Sequence, residues 1–231
     1  MAALADAVRL LAEIVFPARC LGCGRRGAAI CQGCRAALPY LPGGVCSRCA
    51  SVRGARGGCR GCRQLSPVLT SVRAPFSYDG AARSAVLTLK FKSGRYLAPV
   101  MGEFLREMLA RRPLQADLVV PVPLAPSRLQ QRGFNQASLL AREVEAAVRG
   151  VMLADALTRA DRPAQSTLTA TRRLQNASGA FACGRPADVK GQRILLVDDV
   201  VTTGATISAC ADTLAQAGAR RVSALAFARD L

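Results

Sequence analysis

The stretch from residue 193 to residue 208 (RILLVDDVVTTGATIS) constrains the fold of this chain more than any other. It contains an apolar run, Ile194–Val197, which is typical of a strand buried in a parallel sheet. Two carboxylates, Asp198 and Asp199, follow directly, and a turn of small and hydroxyl-bearing residues then opens a helix. This order predicts a strand, a turn and a helix, with both acids at the carboxyl end of the strand.

The turn is suited to binding a phosphate, because the first backbone N–H groups of a helix are free to donate and threonine hydroxyls add further donors. The adjacent acids would accept hydrogen bonds from the vicinal hydroxyls of a sugar. We therefore predict a site for a ribose 5-phosphate unit. The alternative is an ordinary strand, turn and helix with a threonine cap and solvated acids, which leaves this grouping as coincidence. The phosphate-binding residues are predicted to be Thr202, Thr203, Gly204, Ala205 and Thr206.

Four Cys-x-x-Cys pairs predict a metal-binding module before this motif. Two such pairs place four sulfurs around one zinc ion, so eight cysteines suit two structural sites. A disulfide framework or redox-active pairs are less favoured, because no secretory signal is evident and a redox motif would occur once rather than four times. We favour sequential pairing, although an interleaved arrangement stays open. The pairs are Cys20/Cys23, Cys31/Cys34, Cys46/Cys49 and Cys59/Cys62.

The amino-acid composition excludes several kinds of catalysis and of metal site. Histidine is absent, which excludes histidine general bases, Ser-His-Asp and Cys-His catalysis, and zinc sites that need imidazole. The formal net charge of +17 would attract polyanions such as nucleic acids, although a merely solvated basic surface accounts for it equally well. Several of these charges decorate the cysteine module: Arg25, Arg26, Arg35, Arg48, Arg53, Arg56, Arg60 and Arg63.

Three parts are expected along the chain. Residues 1–16 mix charged residues with leucine and alanine, which predicts a short amphipathic helix rather than a signal peptide or membrane span. We therefore expect a cytoplasmic protein. A double zinc-ribbon module is predicted over 17–66 and an α/β domain over 67–231.

Strands and helices alternate in the third part, residues 67–231, which predicts a parallel, doubly wound sheet with helices on both faces and a ligand outside the strand ends. Basic residues near those ends are weaker candidates for binding a diphosphate: Lys90, Arg128 and Arg132. Segment 157–184 has no clear periodicity, and we interpret it as a lid. Strands are predicted over 68–76, 117–123 and 221–228, and helices over 97–111 and 134–148.

Several of these features together resemble the ComF family of phosphoribosyltransferase-like proteins. They are the cysteine pairs, Val120–Pro123 (VPVP), Arg132–Ala137 (RGFNQA), Gln165–Phe181 and the 193–208 stretch. The resemblance implies a type I phosphoribosyltransferase fold behind an N-terminal zinc finger. It also implies a role in handling incoming single-stranded DNA during natural transformation, with helicase-like and DNA-processing partners.

The same resemblance implies phosphoribosyl pyrophosphate (PRPP) as ligand. Asp198 and Asp199 would bind the ribose hydroxyls, residues 202–206 the 5'-phosphate, and Mg²⁺ the pyrophosphate. An enzyme of this kind would release pyrophosphate through an oxocarbenium-like state that the acids stabilise. Thr202 stands where purine-type relatives often carry an acid, which argues against purine salvage. The alternative is a PRPP sensor or DNA-handling protein without turnover, since fold alone does not establish catalysis.

Overall fold

The computed structural model describes residues 19–53, 59–146, 152–153, 155–161 and 180–231. The predicted N-terminal helix over 1–16 lies outside the described residues, and so does the central part of the predicted lid, 162–179.

Strands and helices alternate after the cysteine module, as predicted. The strands are β1 (Leu69–Arg73), β2 (Phe76–Ser77), β3 (Leu118–Pro121), β4 (Met152–Leu153), β5 (Leu157–Arg159), β6 (Phe181–Cys183), β7 (Arg193–Val201) and β8 (Arg221–Arg229). The helices are α1 (Gln32–Ala36), α2 (Arg60–Gln64), α3 (Gly80–Leu89), α4 (Ala98–Arg111), α5 (Pro126–Arg132), α6 (Gln136–Glu145), α7 (Pro186–Val189) and α8 (Ala205–Gln216). A 3₁₀ helix, Lys92–Leu97, joins α3 to α4.

A parallel sheet forms the centre of the domain, with the order β1-β8-β7-β3-β4 and with β2 paired to β8. Strand β7 therefore lies between β8 and β3, where Val197 pairs with Leu225 on one side and Pro121 on the other. The prediction of a type I phosphoribosyltransferase-like parallel sheet behind a cysteine-rich module is confirmed. This central position fixes the carboxyl-terminal part of β7, which contains both acids, beside its neighbouring strands.

Three boundaries differ from the prediction for local reasons. The strand predicted over 68–76 is two strands, because Pro75 lacks an N–H group and its carbonyl accepts the N–H of Leu41 instead. The helix predicted from Phe134 begins at Gln136, because Asn135 caps it with a side-chain oxygen. The two ends of the predicted lid pair with each other as the antiparallel strands β5 and β6.

The sheet buries a separate apolar layer on each face. On one face, α8 packs Cys210 and Leu214 against Leu196 of β7. On the other, α3, α4 and α6 pack against Leu195 and Val197 of the same strand. Burying one such side chain contributes about 1.5–3 kcal/mol, so both layers hold β7 firmly. We call these two sides the α8 face and the α4 face.

The cysteine module covers the edge of the sheet. Its segment between the two cysteine pairs of the first half and those of the second runs beside residues 75–77, where the N–H of Leu41 donates to the carbonyl of Pro75 at 2.9 Å. The turn between Cys46 and Cys49 follows β1, and there the carbonyl of Arg48 accepts the N–H of Val72 at 2.6 Å. Cys46 and Cys49 join the apolar layer of the α8 face, whereas Leu21 and Ile30 pack on that of the α4 face. The module thus protects an exposed strand edge and touches both faces.

Within the described ranges, no helix combines the length and the hydropathy that crossing a bilayer would require.

Candidate functional site at the carboxyl end of the sheet

The two acids lie at the end of β7, but in different surroundings. Asp198 is half-buried and its Oδ1 accepts the N–H of Asp199 at 2.8 Å. Asp199 is only 3% exposed, and its Oδ2 lies 3.3 Å from the ammonium of Lys90, the residue that ends α3. The structure therefore brings one weak diphosphate candidate, Lys90, directly to the acid pair. Only Asp198 keeps part of its surface open to a ligand.

The Asp198 carboxyl loses its proton less readily than a solvent-exposed carboxyl does. Burial raises its pKa well above the usual range, and the negative charge of Asp199 raises it further, while the Lys90 cation acts in the opposite direction. Asp198 lies on the α8 face. The pKa of Cys210 on that face is raised chiefly by the burial of its thiol, and the negative charge of Asp198 raises it further. A carboxyl group held in this way is typical of a binding or catalytic site, because folding alone gains nothing from it.

The turn after β7 has the form that phosphate binding requires. Thr202 and Thr203 are exposed, and Gly204 adopts a left-handed conformation with φ +84°. Gly204 precedes α8 and has no side chain to cap it, so the free N–H groups of the first turn remain available to a ligand. The hydroxyl of Thr203 accepts one of them, the N–H of Ala205, at 3.3 Å.

The segment after β3 lies at the same edge of the sheet. The N–H of Val122 donates to the carbonyl of Val197 at 2.9 Å, which places the VPVP segment beside Asp198. Helix α5 follows, with Arg128 exposed and Arg132 half-buried. An Arg132 N–H donates to the amide oxygen of Gln136 at 2.9 Å. Both arginines therefore stand on the edge that carries the acids, although the described contacts join neither to them.

The RGFNQ segment holds this edge together. Gly133 ends α5 with φ +76°, a conformation that glycine adopts without strain. Phe134 is buried, and the Arg95 guanidinium lies 5.2 Å from its ring centre. Asn135 caps α6 and also donates from its amide to the carbonyl of Val122 at 2.9 Å. The segment thus ties the turn after β3 to α6 and to the 3₁₀ helix.

The eight cysteines form two sets of four, as sequential pairing predicted. Their sulfur atoms lie within 4.8 Å of one another in each set. Individual separations include 3.6 Å between Cys23 and Cys31 and 3.4 Å between Cys46 and Cys62, close to the edge of about 3.8 Å in a zinc tetrathiolate. We call Cys20, Cys23, Cys31 and Cys34 the first cysteine set, and Cys46, Cys49, Cys59 and Cys62 the second cysteine set.

The chemistry of these donors fits zinc. At Cys20, burial opposes ionisation, but backbone N–H groups including that of Cys31 outweigh it and lower the pKa to about 6. At Cys34, hydrogen bonds with neighbouring thiols, that of Cys20 first, raise the pKa to about 12. Holding all four sulfurs as thiolates therefore needs a divalent cation. Two structural zinc ions account for both sets, and such closed sites offer no position for catalysis.

Two arginines of the module have structural partners rather than open surfaces. Arg35 pairs with Glu103 and Glu107 of α4, and Arg48 donates to the carbonyl of Ser66 at 2.9 Å. These two are therefore occupied within the protein and are weaker candidates for binding nucleic acid than the exposed Arg25 and its neighbours.

Three residues that contact the turn or the residues flanking it were not predicted from the sequence: Leu65, Ser66 and Arg229. One signal was available. Arg229 follows an unbroken run of buried residues, and a cation at the end of such a strand needs a partner. The identity of that partner was not accessible, because Arg229 and Cys49 are 180 residues apart.

Comparisons with known proteins agree with this architecture. Residues 11–64 match the double zinc ribbon domain, and residues 129–230 match the phosphoribosyl transferase domain. The chain is 32% identical over 224 residues to DNA utilization protein YhgH of Salmonella typhi, covering 87% of this chain and 97% of that protein. It is 27% identical over 196 residues to competence protein ComFC of Bacillus subtilis, covering 82% and 79%.

Among solved structures, glutamine PRPP amidotransferase from B. subtilis matches with a TM-score of 0.39 and 19% identity, over 57% of this chain and 26% of that one. The extended similarity to YhgH and ComFC, together with both domain matches, establishes the relationship. The chain belongs to the ComF family, in which a double zinc ribbon precedes a phosphoribosyltransferase-type domain.

Proposed function

We propose that the carboxyl end of β7 binds PRPP. One observation carries this proposal: a half-buried acid near the end of a central strand is followed, after three further residues, by the Thr202–Gly204 turn and by a helix whose N-cap residue, Gly204, has no side chain to cap it. An anion is attracted to such a helix start, and an acid beside it selects a ligand that also carries hydroxyl groups. A ribose 5-phosphate unit offers both groups a few ångströms apart.

Each part of the ligand has a partner in this proposal. The N–H groups and hydroxyls of Thr202–Thr206 bind the 5'-phosphate, and Asp198 accepts hydrogen bonds from the ribose hydroxyls. Asp199 takes part once Lys90 turns from it toward the pyrophosphate, where Arg128 and Arg132 assist. Mg²⁺, bound with the pyrophosphate, supplies charge neutralisation when the ribose–pyrophosphate bond breaks.

Phosphoribosyl transfer is the activity that this arrangement favours. Asp198 and Asp199 would stabilise the positive charge that develops on the ribose ring. A second candidate is PRPP binding without turnover, and one observation favours it. Asp199 is buried and paired with Lys90, so a single acid is open to the ligand in this state.

The test combines binding with turnover. Calorimetry with Mg²⁺ and PRPP is expected to give saturable binding to one site per chain, at least tenfold weaker in Asp198→Asn. Asp188→Asn is the matched control, because Asp188 precedes β7 at the opposite end of the sheet and pairs with Arg185. Absence of saturation in the wild-type protein would contradict the proposal.

Pyrophosphate release separates the two candidates. The protein is incubated with Mg²⁺, PRPP and a panel of nucleobases, and released pyrophosphate is measured against Asp198→Asn. Release that depends on one acceptor supports transfer. Saturable binding without release for any acceptor supports the sensor.

For the cell, we propose a cytoplasmic role in DNA uptake and natural transformation, in keeping with the names of the relatives ComFC and YhgH. Helicase-like and DNA-processing proteins are the expected partners. The net charge of +17 supports direct contact with single-stranded DNA. Fluorescence anisotropy with an oligonucleotide is expected to show micromolar or weaker affinity that falls by an order of magnitude or more between about 50 and 200 mM salt. Affinity that does not change with salt would contradict contacts to the DNA phosphates.

A further inference from the structure

Arg229 joins the second cysteine set to the end of β7. Its guanidinium is buried, with 3% of the residue exposed, and it donates three hydrogen bonds. The acceptors are the carbonyl of Cys49 at 3.2 Å, the hydroxyl of Ser51 at 3.0 Å and the carbonyl of Val201 at 2.9 Å. Because Val201 is the last residue before the phosphate-binding turn, one side chain connects a zinc ligand to that turn.

A buried cation needs a counter-charge, and the second cysteine set provides one in addition to the neighbouring Asp230. Among the residues that the structure describes, no carboxylate forms an ion pair with Arg229. Burial lowers its pKa, and the charge of Cys49 acts most strongly in the opposite direction. Four thiolates and one Zn²⁺ carry a net charge of −2, so a loaded set stabilises the guanidinium beside it.

The residues after Cys62 contact the turn directly. A Cβ atom placed on Gly204 would lie 2.3 Å from Cδ2 of Leu65, so the glycine and the leucine are in close contact. The N–H of Ser66 donates to the hydroxyl of Ser208 at 3.0 Å, and the Ser66 hydroxyl donates to Asp212. The first two turns of α8 are therefore attached to the chain that leaves the second cysteine set.

Within the described part of the chain, the first cysteine set has no contact with residues 201–208 of this kind. Residues next to its cysteines, Leu21 and Ile30, pack on the α4 face, where Arg35 contacts Glu103, Glu107 and the ring of Phe104. The phosphate-binding turn belongs to the other face, where Leu65 and Ile207 share one apolar layer with Cys46 and Cys49. The two sets are thus expected to differ in their effect on the ligand.

We propose that the zinc-loaded second cysteine set holds the phosphate-binding turn in its ligand-binding shape, and that Arg229 is the positioning residue for the 5'-phosphate. The contacts of Leu65 and Ser66 complete this support. The inference rests on the proposed function for its ligand, whereas its structural part, the link between the zinc site and residues 201–208, stands apart from any ligand.

The test compares Arg229→Gln with Arg35→Gln. Both remove a guanidinium that connects the module to the domain, and both leave all eight zinc ligands in place. Arg229→Gln is expected to speed hydrogen exchange of the amides of residues 201–208 at least tenfold and to weaken ribose 5-phosphate binding at least tenfold. Exchange in α4 should not change. Arg35→Gln should leave residues 201–208 and ribose 5-phosphate affinity within twofold of wild type.

Three further measurements keep the outcome decisive. Arg229→Lys keeps the positive charge but replaces the planar guanidinium with a single ammonium group. It should therefore give an exchange rate between those of wild type and Arg229→Gln, whereas a purely steric defect would not give an intermediate rate. If Arg229→Gln does not fold, Leu65→Ala is used, and the same local increase is expected. Zinc content is measured throughout, and two ions per chain are expected in each folded variant.

The result that overturns the inference is unchanged exchange of residues 201–208 in Arg229→Gln, Arg229→Lys and Leu65→Ala. A different result is expected if the proposed function is wrong and the structural link is correct. In that case the wild-type protein binds neither PRPP nor ribose 5-phosphate, yet the exchange of residues 201–208 still responds to Arg229→Gln.

Discussion

The two cysteine sets offer zinc the same ligands, yet they join the domain in different ways. In the first, Cys23 is exposed, and the set is joined to the domain by the neighbouring Leu21 and Ile30, which pack on the α4 face, and by Arg35, whose ion pairs with α4 are a third or more exposed. In the second, Cys46 and Cys49 are part of the apolar layer under α8. Exposed ion pairs contribute at most about 1 kcal/mol, whereas each large side chain in a buried apolar layer contributes about 1.5–3 kcal/mol. The difference teaches that two cysteine sets with the same ligands can be integrated into one domain to different depths, the second more deeply than the first.

The largest expected effect separates the two sets directly. Cys49→Ser should lower the free energy of unfolding by about 5 kcal/mol or more, because it removes a buried ligand of a structural metal. Since each kcal/mol lowers the melting temperature of a chain of this size by about 2–4 °C, a decrease of at least 10 °C is expected. Cys23→Ser should cost less than half as much. Calorimetric melting of both variants provides the measurement, and equal losses would refute the difference between the sets.

The next effect concerns the contact between Leu65 and the turn. Gly204→Ala should cost about 3 kcal/mol, because the new methyl group meets Leu65 and a left-handed φ is strained for alanine. Gly44→Ala is the matched control, since its φ is +83° and nothing lies within 4 Å of the added carbon. It should cost about 1–2 kcal/mol. Chemical denaturation gives both values, and Leu65→Ala should partly rescue Gly204→Ala.

The sequence alone predicted those elements that depend on neighbouring residues in the chain. The order of apolar run, acids and threonine turn predicted β7, the turn and α8, because each depends on neighbouring residues. The pairing of the cysteines was favoured for the same reason. The roles of Leu65 and Arg229 could not be predicted, because they depend on which strand lies at the edge of the sheet and on which face each cysteine set lies. Lys90 was expected near a diphosphate, and its pairing with Asp199 followed only from the position of α3.

A smaller effect on the melting temperature is expected from Asp198, the acid on the α8 face. The pKa of Asp198 is raised in the folded protein, chiefly by burial, so the carboxyl destabilises the fold increasingly as pH rises above its unfolded value of about 4. Asp198→Asn should therefore raise the melting temperature at pH 8 by a few degrees and leave it unchanged near pH 3.5, while PRPP binding becomes at least tenfold weaker. A melting temperature that falls at pH 8 would show that this acid serves the fold rather than the site.

Asp117, at the opposite end of β7, provides the contrast. Hydrogen bonds from Arg193 lower its pKa to about 2. Its contribution to stability is therefore present above pH 4 and disappears as pH falls toward 2. Asp117→Asn should lower the melting temperature at pH 8, opposite in sign to Asp198→Asn, and ribose 5-phosphate binding should not change.

The smallest effect is expected on the α4 face. Arg35→Gln removes exposed ion pairs and a contact 4.4 Å from the centre of the Phe104 ring, which should cost no more than about 1 kcal/mol. In urea denaturation, increasing the salt concentration should reduce the difference in the free energy of unfolding between Arg35→Gln and the wild-type protein. A cost as large as that of Gly204→Ala would mean that the first cysteine set is as closely integrated as the second.

The most direct measurement is a crystal structure of the zinc-loaded protein with Mg²⁺ and PRPP. The account predicts a 5'-phosphate within hydrogen-bond distance of the N–H groups of residues 203–206, ribose hydroxyls on Asp198, and Arg229 still bonded to the carbonyls of Cys49 and Val201. A crystal grown at saturating PRPP in which this turn holds no ligand, or in which PRPP binds elsewhere, would contradict it.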